Sequence, residues 1–128
     1  MNYLLDTHSI IWLIEDSKKL PSKIKDIVAD SDNEVYISSA SLWEMAIKLS
    51  IGKLELSIEF EELLAIIEEC GFSILQIKND YLIKLLSLPF IHNDPFDRLI
   101  ISTALSENLT IITVDNDIQK YNVSWVWK

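Results

Sequence analysis

The chain has 128 residues, of which 49% are hydrophobic and 24% are charged, with only two Gly and three Pro. This length and composition fit one compact domain and exclude a disordered chain, a collagen-like chain and a Gly-rich linker. A formal net charge of −9 argues against nucleic acid as a partner if the acidic side chains are spread over the surface, because phosphates bind cations. Whether the net charge argues against a nucleic-acid partner therefore depends on where the acidic residues lie.

Short apolar runs rich in β-branched residues alternate with segments of helical periodicity along the whole chain. This alternation predicts right-handed βαβ crossovers and a single three-layer α/β/α domain over residues 1–128, with a central, mainly parallel sheet of four to five strands. In chain order, the patterns predict strand 2–5, helix 7–15, a helix beginning at Pro21, strand 34–38, helix 41–50, helix 58–70, strand 72–77, helix 79–88, helix 95–108, strand 109–114, a short helix over 115–121 and strand 123–127.

The cysteine and histidine content excludes two further classes of protein. Cys70 is the single cysteine and cannot form an internal disulfide, so we expect a reducing compartment, the cytoplasm, and a buried thiol near a helix end. One cysteine and two distant histidines, His8 and His92, cannot build a zinc site.

Asp6 and Glu15 interrupt the apolar N-terminal segment and no basic region precedes it, so we expect neither a signal peptide nor a membrane span.

Four carboxylates lie where a solvated helix face does not explain them. Asp6 directly follows the first predicted strand and Asp115 follows the fourth, so both stand at the carboxyl edge of the sheet, where ligands of such folds bind. Glu44 lies inside an apolar stretch, and Asp97 lies in the first turn of a predicted helix. Each position also has a purely structural interpretation: Asp6 and Asp115 could cap helices, and Glu44 could complete a capping box with Ser41.

Convergence of these carboxylates at one edge would require a cation, because clustered negative charges repel one another. Oxygen ligands without His or Cys select the hard ions Mg²⁺ or Mn²⁺, which also bind phosphate oxygens. Such a metal lowers the pKa of a bound water, and a second metal could stabilise the leaving oxygen. The four acids therefore favour hydrolysis of a phosphodiester bond.

Four motifs carry a resemblance to a known family. They are, in order, Leu4-Leu5-Asp6-Thr7-His8, then Ser39-x-Ser41-Leu42-Trp43-Glu44 with Lys48 and Gly52-Lys53-Leu54, then His92-x-Asp94-Pro95-Phe96-Asp97-Arg98, and finally Thr113-x-Asp115. Together they resemble the PIN-domain ribonucleases of the toxin type, the VapC-like partners in type II toxin–antitoxin pairs. The resemblance covers essentially the whole chain, and the four motifs in this order are specific although each is loose by itself.

The resemblance implies a PIN-like α/β/α fold and endonucleolytic cleavage of RNA that depends on Mg²⁺ or Mn²⁺. It also implies a cognate antitoxin protein that blocks the site, and a homodimer. The acidic positions that hold the metal and carry catalysis in the family fall on Asp6, Glu44, Asp97 and Asp115, and its small hydroxyl falls on Thr113.

Other residues are candidates for supporting roles. Asp94 and Arg98 match motif positions, and we expect Asp94 to cap a helix and Arg98 to orient a carboxylate or contact phosphate. Asp117 is a rival of Asp115 that lies farther from the strand end.

Basic and aromatic residues offer fewer clues to a nucleic-acid surface. Lys18 and Lys19, in the one basic cluster, and Lys48, in the second motif, are candidates for RNA binding. We expect Trp43 to lie in the core or an interface rather than to stack on bases.

Two other classes of function remain open at this point. A receiver-like, Mg²⁺-binding phosphoacceptor domain has a similar size, but it needs an acidic pair after the first strand and a lysine after the last, where this chain offers only Asp6 and Lys128. A non-catalytic interaction module would use the acids only as helix caps. The absence of a Gly-rich phosphate loop argues against a nucleotide-binding domain.

Overall fold

A single parallel sheet of five strands forms the centre of the molecule. The computed structural model describes residues 1–128. In chain order, the strands are β1 (Asn2–Leu5), β2 (Glu34–Ser38), β3 (Ser73–Leu75), β4 (Thr110–Ile112) and β5 (Trp125–Val126). Every neighbouring pair is parallel and the spatial order is β3-β2-β1-β4-β5, so β1 is the central strand. The predicted parallel α/β fold is confirmed.

Seven helices cover the two faces of this sheet. They are α1 (Thr7–Ile14), α2 (Ser22–Ala29), α3 (Ser39–Ser50), α4 (Phe60–Glu69), α5 (Asn79–Leu86), α6 (Pro95–Glu107) and α7 (Asn116–Gln119). None of them has the length and apolar composition that crossing a bilayer requires.

The alternation of side chains along the strands divides the core into two layers, as a period of two requires. Leu5 and Ile112 point into the layer packed by α1, α2 and α4, whereas Leu4 and Ile111 point into the layer packed by α6 and α7. All four side chains are fully buried. Both faces of the central strands are therefore apolar, which is why these strands read as continuous hydrophobic runs.

The start of α3 differs from the prediction. The helix begins at Ser39, and its cap is Ser38, whose hydroxyl accepts a hydrogen bond from the Ala40 amide at 3.1 Å. Ser41 lies inside the helix, where its hydroxyl is buried and has no hydrogen-bond partner. The predicted capping box between Ser41 and Glu44 is therefore wrong, and Glu44 is free to serve another purpose.

Smaller differences concern lengths and exposure. Strands β3, β4 and β5 are shorter than predicted, because only their central residues pair with a neighbour. Pro21 is the residue before α2 rather than its first residue. Cys70 is exposed, so the expected buried thiol is wrong.

The strand order also bears on the receiver alternative. Receiver-like, doubly wound domains of this size have the order 2-1-3-4-5. The order β3-β2-β1-β4-β5 observed here is different, since β2 and β4 flank β1. The receiver interpretation is therefore excluded by the fold.

Candidate active site: carboxylates at the edge of the sheet

Asp6 is a buried carboxylate that directly follows β1 and caps α1. Its side chain is only 4% exposed, and Oδ1 accepts a hydrogen bond from the Ser9 amide at 2.9 Å. The hydroxyl of Thr113 donates to Oδ2 at 2.5 Å. Burial raises the pKa of Asp6 above its usual range, while the hydrogen bonds from Ser9 and Thr113 oppose that rise. Asp6 is thus a cap whose second oxygen is directed to the edge of the sheet.

Thr113 connects Asp6 to Asp115. The Thr113 hydroxyl that donates to Asp6 also accepts a hydrogen bond from the Asp115 amide at 3.0 Å. Asp115 caps α7 by accepting from the amide of Asp117 at 2.8 Å. Asp117 itself is half exposed and pairs with Lys120 at 3.6 Å, so it faces solvent. Of Asp115 and Asp117, Asp115 is therefore the one that is connected through Thr113 to the buried carboxylate of Asp6.

Glu44 is an acidic residue of α3 that is nevertheless buried, with 4% of its surface exposed. The hydroxyl of Thr7 donates to Oε1 at 2.7 Å and the ammonium of Lys48 donates to Oε2 at 2.6 Å. The hydrogen bond to Glu44 is the largest cause of a raised pKa at Lys48, and the charges of Asp94 and Asp97 add to it. Glu44 therefore belongs to the acidic cluster and does not cap its helix.

Asp97 completes the cluster from the first turn of α6. Its side chain is 18% exposed, and Oδ2 lies 3.2 Å from Nε2 of His92. Burial raises the pKa of Asp97 to about 7, and the neighbouring charges of Asp94, Asp115 and Glu44 contribute to that rise. These contributions indicate that Glu44 of α3, Asp97 of α6 and Asp115, the cap of α7, lie near one another.

Asp94 and Arg98 have structural contacts on either side of Asp97. Asp94 caps α6 as predicted, because its Oδ1 accepts from the amides of Phe96 at 2.9 Å and of Asp97 at 3.0 Å. Arg98 is buried and donates to the carbonyl of Pro89 at 2.8 Å and to the hydroxyl of Tyr121 at 3.0 Å. Its guanidinium has no carboxylate among these contacts, and the expected role of Arg98 in orienting a carboxylate or contacting phosphate stays a prediction.

The donor set of the cluster fits a hard divalent cation. No group of three or more acidic, His or Cys side chains converges tightly enough in this geometry to hold a metal ion by itself. The chemistry nevertheless matches, because the four side chains offer only oxygen ligands and burial penalises the charged forms of Asp6 and Asp97. The ammonium of Lys48 already forms an ion pair with the carboxylate of Glu44.

The candidate RNA-binding lysines lie in two different settings. Lys18 and Lys19 are exposed between α1 and α2, and the Lys19 ammonium lies 5.6 Å from the centre of the Trp12 ring. Lys48 contacts Glu44 and is 38% exposed. Trp43, expected in the core or an interface, is 59% exposed and meets Phe96 edge to face at 5.4 Å. An aromatic ring therefore stands exposed next to Glu44 in the sequence.

Three residues were missed or given no role by the sequence: Thr7 and His92, which contact the cluster, and Tyr121, which contacts His92. Thr7 belongs to the first motif, and its place directly after Asp6 could have been the signal. His92 belongs to the third motif, five residues before the carboxylate that it contacts. Tyr121 lies outside every motif, and no local pattern connects it to the site.

The fold and the acidic edge together define a class of α/β domains with carboxylates beyond a parallel sheet, and comparison with known proteins identifies the family. The family model of the PIN domain matches residues 3–123 of the sequence. The chain therefore belongs to the PIN domain family. A search of the curated proteins found no match.

Solved structures show the same fold at low sequence identity. VapBC2 from Rickettsia felis, bound to a DNA fragment from the promoter, has 19% identity and a TM-score of 0.76, and the match covers 100% of both chains. VapBC-1 from nontypeable Haemophilus influenzae has 21% identity and a TM-score of 0.67, covering 98% of this chain and 97% of the other. VapBC-5 from Mycobacterium tuberculosis, a member of the VapBC family of toxin–antitoxin systems, has 18% identity and a TM-score of 0.64, covering 99% and 98%.

Proposed function

We propose that this protein is an endoribonuclease that depends on Mg²⁺ or Mn²⁺ and acts as the toxin of a toxin–antitoxin pair. The observation that carries the proposal is the burial of acidic side chains beyond one edge of the sheet: Asp6 and Glu44 are each 4% exposed, and burial and the charges of neighbouring acids raise the pKa of Asp97. A site that gathers negative charge in this way needs a cation in order to work with all its carboxylates ionised.

The residues of the site would have distinct roles. Asp6, Glu44, Asp97 and Asp115 would hold the metal, which when bound lowers the pKa of a coordinated water and offsets charge on the scissile phosphate. Thr113 fixes Asp6 by its hydrogen bond, and Thr7 fixes Glu44 in the same way. These hydroxyls hold the carboxylates of Asp6 and Glu44 in one orientation in the absence of metal.

Lys48 has a separate part in the proposal. Its ammonium pairs with Glu44, but more than a third of the side chain is exposed, so it can reach solvent. With Glu44 holding a cation, the Lys48 ammonium would be available to the phosphate of a bound RNA. Lys48 thus supports phosphate binding only once the cation is present.

The toxin role has support of a different kind. Matched structures include a member of the VapBC family of toxin–antitoxin systems, and the fold similarity extends over nearly the whole chain. On α5 and just after it, Leu82, Ile83, Leu86 and Phe90 leave large apolar surfaces exposed, which is compatible with association with an antitoxin or with a second copy. We therefore propose a cognate antitoxin and a homodimer as partners.

Substituting Glu44→Gln tests whether Glu44 serves the site. Glutamine keeps the shape of the side chain and an oxygen that accepts from Thr7, so the fold should persist. We expect RNA cleavage to fall by about 100-fold or more, the scale of losing a group that stabilises charge in a transition state. The measurement is the single-turnover cleavage rate together with the melting temperature. Glu62→Gln, on the exposed face of α4, is the control, and wild-type cleavage by Glu44→Gln would remove this residue from the site.

Substituting Lys18 and Lys19 by Ala tests the proposed RNA contacts. If both lysines contact phosphates of single-stranded RNA, the slope of log binding constant against log salt should become shallower by about 1.4, or about 0.7 for each phosphate that is no longer neutralised. The double variant is compared with Lys84→Ala, a single exposed lysine on α5. Filter binding over a range of salt concentrations measures the slope, and an unchanged slope would exclude this pair from the interface.

A further inference from the structure

A chain of hydrogen-bonded side chains leads from the interior of the protein to Asp97. The buried guanidinium of Arg98 donates to the hydroxyl of Tyr121 at 3.0 Å. That hydroxyl lies 2.9 Å from Nδ1 of His92, and Nε2 of the same ring lies 3.2 Å from Oδ2 of Asp97. The four side chains thus form one connected path that ends on a carboxylate of the site.

The hydroxyl of Tyr121 has only one way to satisfy its neighbours. Arg98 can only donate, and the backbone amide of His92 also points to the hydroxyl oxygen at 3.3 Å, so both lone pairs are engaged. The single hydroxyl hydrogen must go to an acceptor. The nearer acceptor is Nδ1 of His92 at 2.9 Å, since the carbonyl of His92 lies at 3.4 Å.

This arrangement determines the tautomer of His92. Because Nδ1 accepts a hydrogen from Tyr121, a neutral imidazole carries its own hydrogen on Nε2. The Nε2–H group then donates to Oδ2 of Asp97, which leaves Oδ1 free for another ligand.

The surroundings hold this arrangement in place. The rings of His92 and Tyr121 meet edge to face with centres 5.4 Å apart, and Tyr121 is buried. The guanidinium of Arg98 donates to the carbonyl of Pro89 and lies 4.1 Å from the centre of the Phe90 ring. Arg98 therefore has a fixed position from which to direct the Tyr121 hydroxyl.

We propose that His92 is a positioning residue for Asp97, and that Arg98 and Tyr121 hold His92 in the Nε2–H tautomer. The tautomer follows from this chain of contacts alone. The consequence for metal binding rests on the proposed function, in which Asp97 is a ligand of the cation. Partners of this kind in the surroundings of a metal site typically change metal affinity by about 10- to 100-fold when they are removed.

Nitrogen NMR of the imidazole rings tests the tautomer directly. The chain has only two histidines, and His8→Gln assigns the remaining signals to His92. At about pH 8, above the usual pKa of imidazole, we expect a protonated Nε2 and an unprotonated Nδ1 at His92. Tyr121→Phe should shift both signals toward a mixture of tautomers, whereas Tyr81→Phe, which removes a buried hydroxyl paired with Glu107, should not. A protonated Nδ1 in the wild type, or no response to Tyr121→Phe, would overturn the proposal.

Two isosteric substitutions at His92 test the positioning role. The side-chain amide of glutamine can take the place of Nε2 and donate to Asp97, whereas asparagine reaches only the place of Nδ1. We expect His92→Asn to weaken Mn²⁺ binding by about 10- to 100-fold and His92→Gln to retain most of it. Equal affinity in the two variants, measured by electron paramagnetic resonance of free Mn²⁺ without RNA, would contradict the positioning role.

These readouts separate the inference from the proposed function. If the tautomer and the Mn²⁺ affinities behave as expected but no RNA is cleaved, then the positioning role stands and the ribonuclease proposal fails. If the wild type binds no Mn²⁺, then the metal-dependent function and the positioning role both fail, and only the tautomer assignment is left for the NMR measurement to decide.

Discussion

Asp97→Asn should lower metal-dependent RNA cleavage by about 100-fold or more and leave the fold intact, because it removes one of the proposed negative ligands while keeping the shape of the side chain. The substitution changes a residue in the first turn of α6, where Asp94 remains as the cap. Single-turnover cleavage of a labelled RNA, with circular dichroism as a check on folding, is the measurement. Asp80→Asn is a matched control, since Asp80 occupies the first turn of α5 and is exposed.

The same variant should be more stable than the wild type when metal is removed. The ionised form of Asp97 is penalised by burial and by neighbouring carboxylates, so its pKa of about 7 lies above the usual value for aspartate. A carboxyl group with a raised pKa in the folded state lowers stability as pH rises from the unfolded value through the folded one. In EDTA, the increase in the free energy of unfolding caused by Asp97→Asn should therefore be present at about pH 8 and shrink as the pH falls below 7.

Chemical denaturation of both proteins across this pH range measures the difference. A variant that loses cleavage and is also less stable at every pH would indicate that Asp97 has a structural role. Cleavage at the wild-type rate would exclude Asp97 from the site.

Mn²⁺ should stabilise the wild-type protein by about 2.7 kcal/mol when its concentration is 100 times the dissociation constant, because a ligand that binds only the folded state adds this amount of free energy. Asp6→Asn should lose most of the effect. Asparagine can still accept the cap hydrogen bond from Ser9, so the variant should fold, but it no longer offers a charged oxygen.

Thermal unfolding with and without Mn²⁺ measures this prediction. Glu59→Gln changes an acid that precedes α4 and is exposed, and it should respond to Mn²⁺ as the wild type does. If Asp6→Asn gained as much stability from Mn²⁺ as the wild type, then the ion would bind somewhere other than the carboxylate cluster.

The sequence predicted the elements that build the edge of the sheet because their signals are local. Asp6 follows an apolar strand within six residues of the start, and Asp94 and Pro95 mark the beginning of α6. Both signals depend on neighbouring residues, which a periodicity or a capping pattern can detect.

Contacts between distant residues could not be predicted in the same way. Thr113 donates to Asp6 across 107 residues of chain, and Tyr121 reaches His92 across 29. The local pattern offered Glu44 as a member of a capping box with Ser41, but in the structure Glu44 accepts a hydrogen bond from the hydroxyl of Thr7. Such pairings depend on how strands and helices pack, and packing overrides the local preference.

The acidic net charge acquires a different meaning from this arrangement. Asp6, Glu44, Asp97 and Asp115 account for four of the negative charges, and in the proposed function a divalent cation neutralises them. The remaining surface is still acidic, so binding to RNA should be weak away from the site and should depend on the metal.

Cleavage of a defined RNA by the purified protein, assayed in excess EDTA and again after Mn²⁺ is restored, tests the central claim most directly. The proposed mechanism requires cleavage to stop in EDTA and to return with Mn²⁺ in the wild type but not in Asp97→Asn. Cleavage that continues unchanged in excess EDTA would contradict the claim that these carboxylates act through a metal ion.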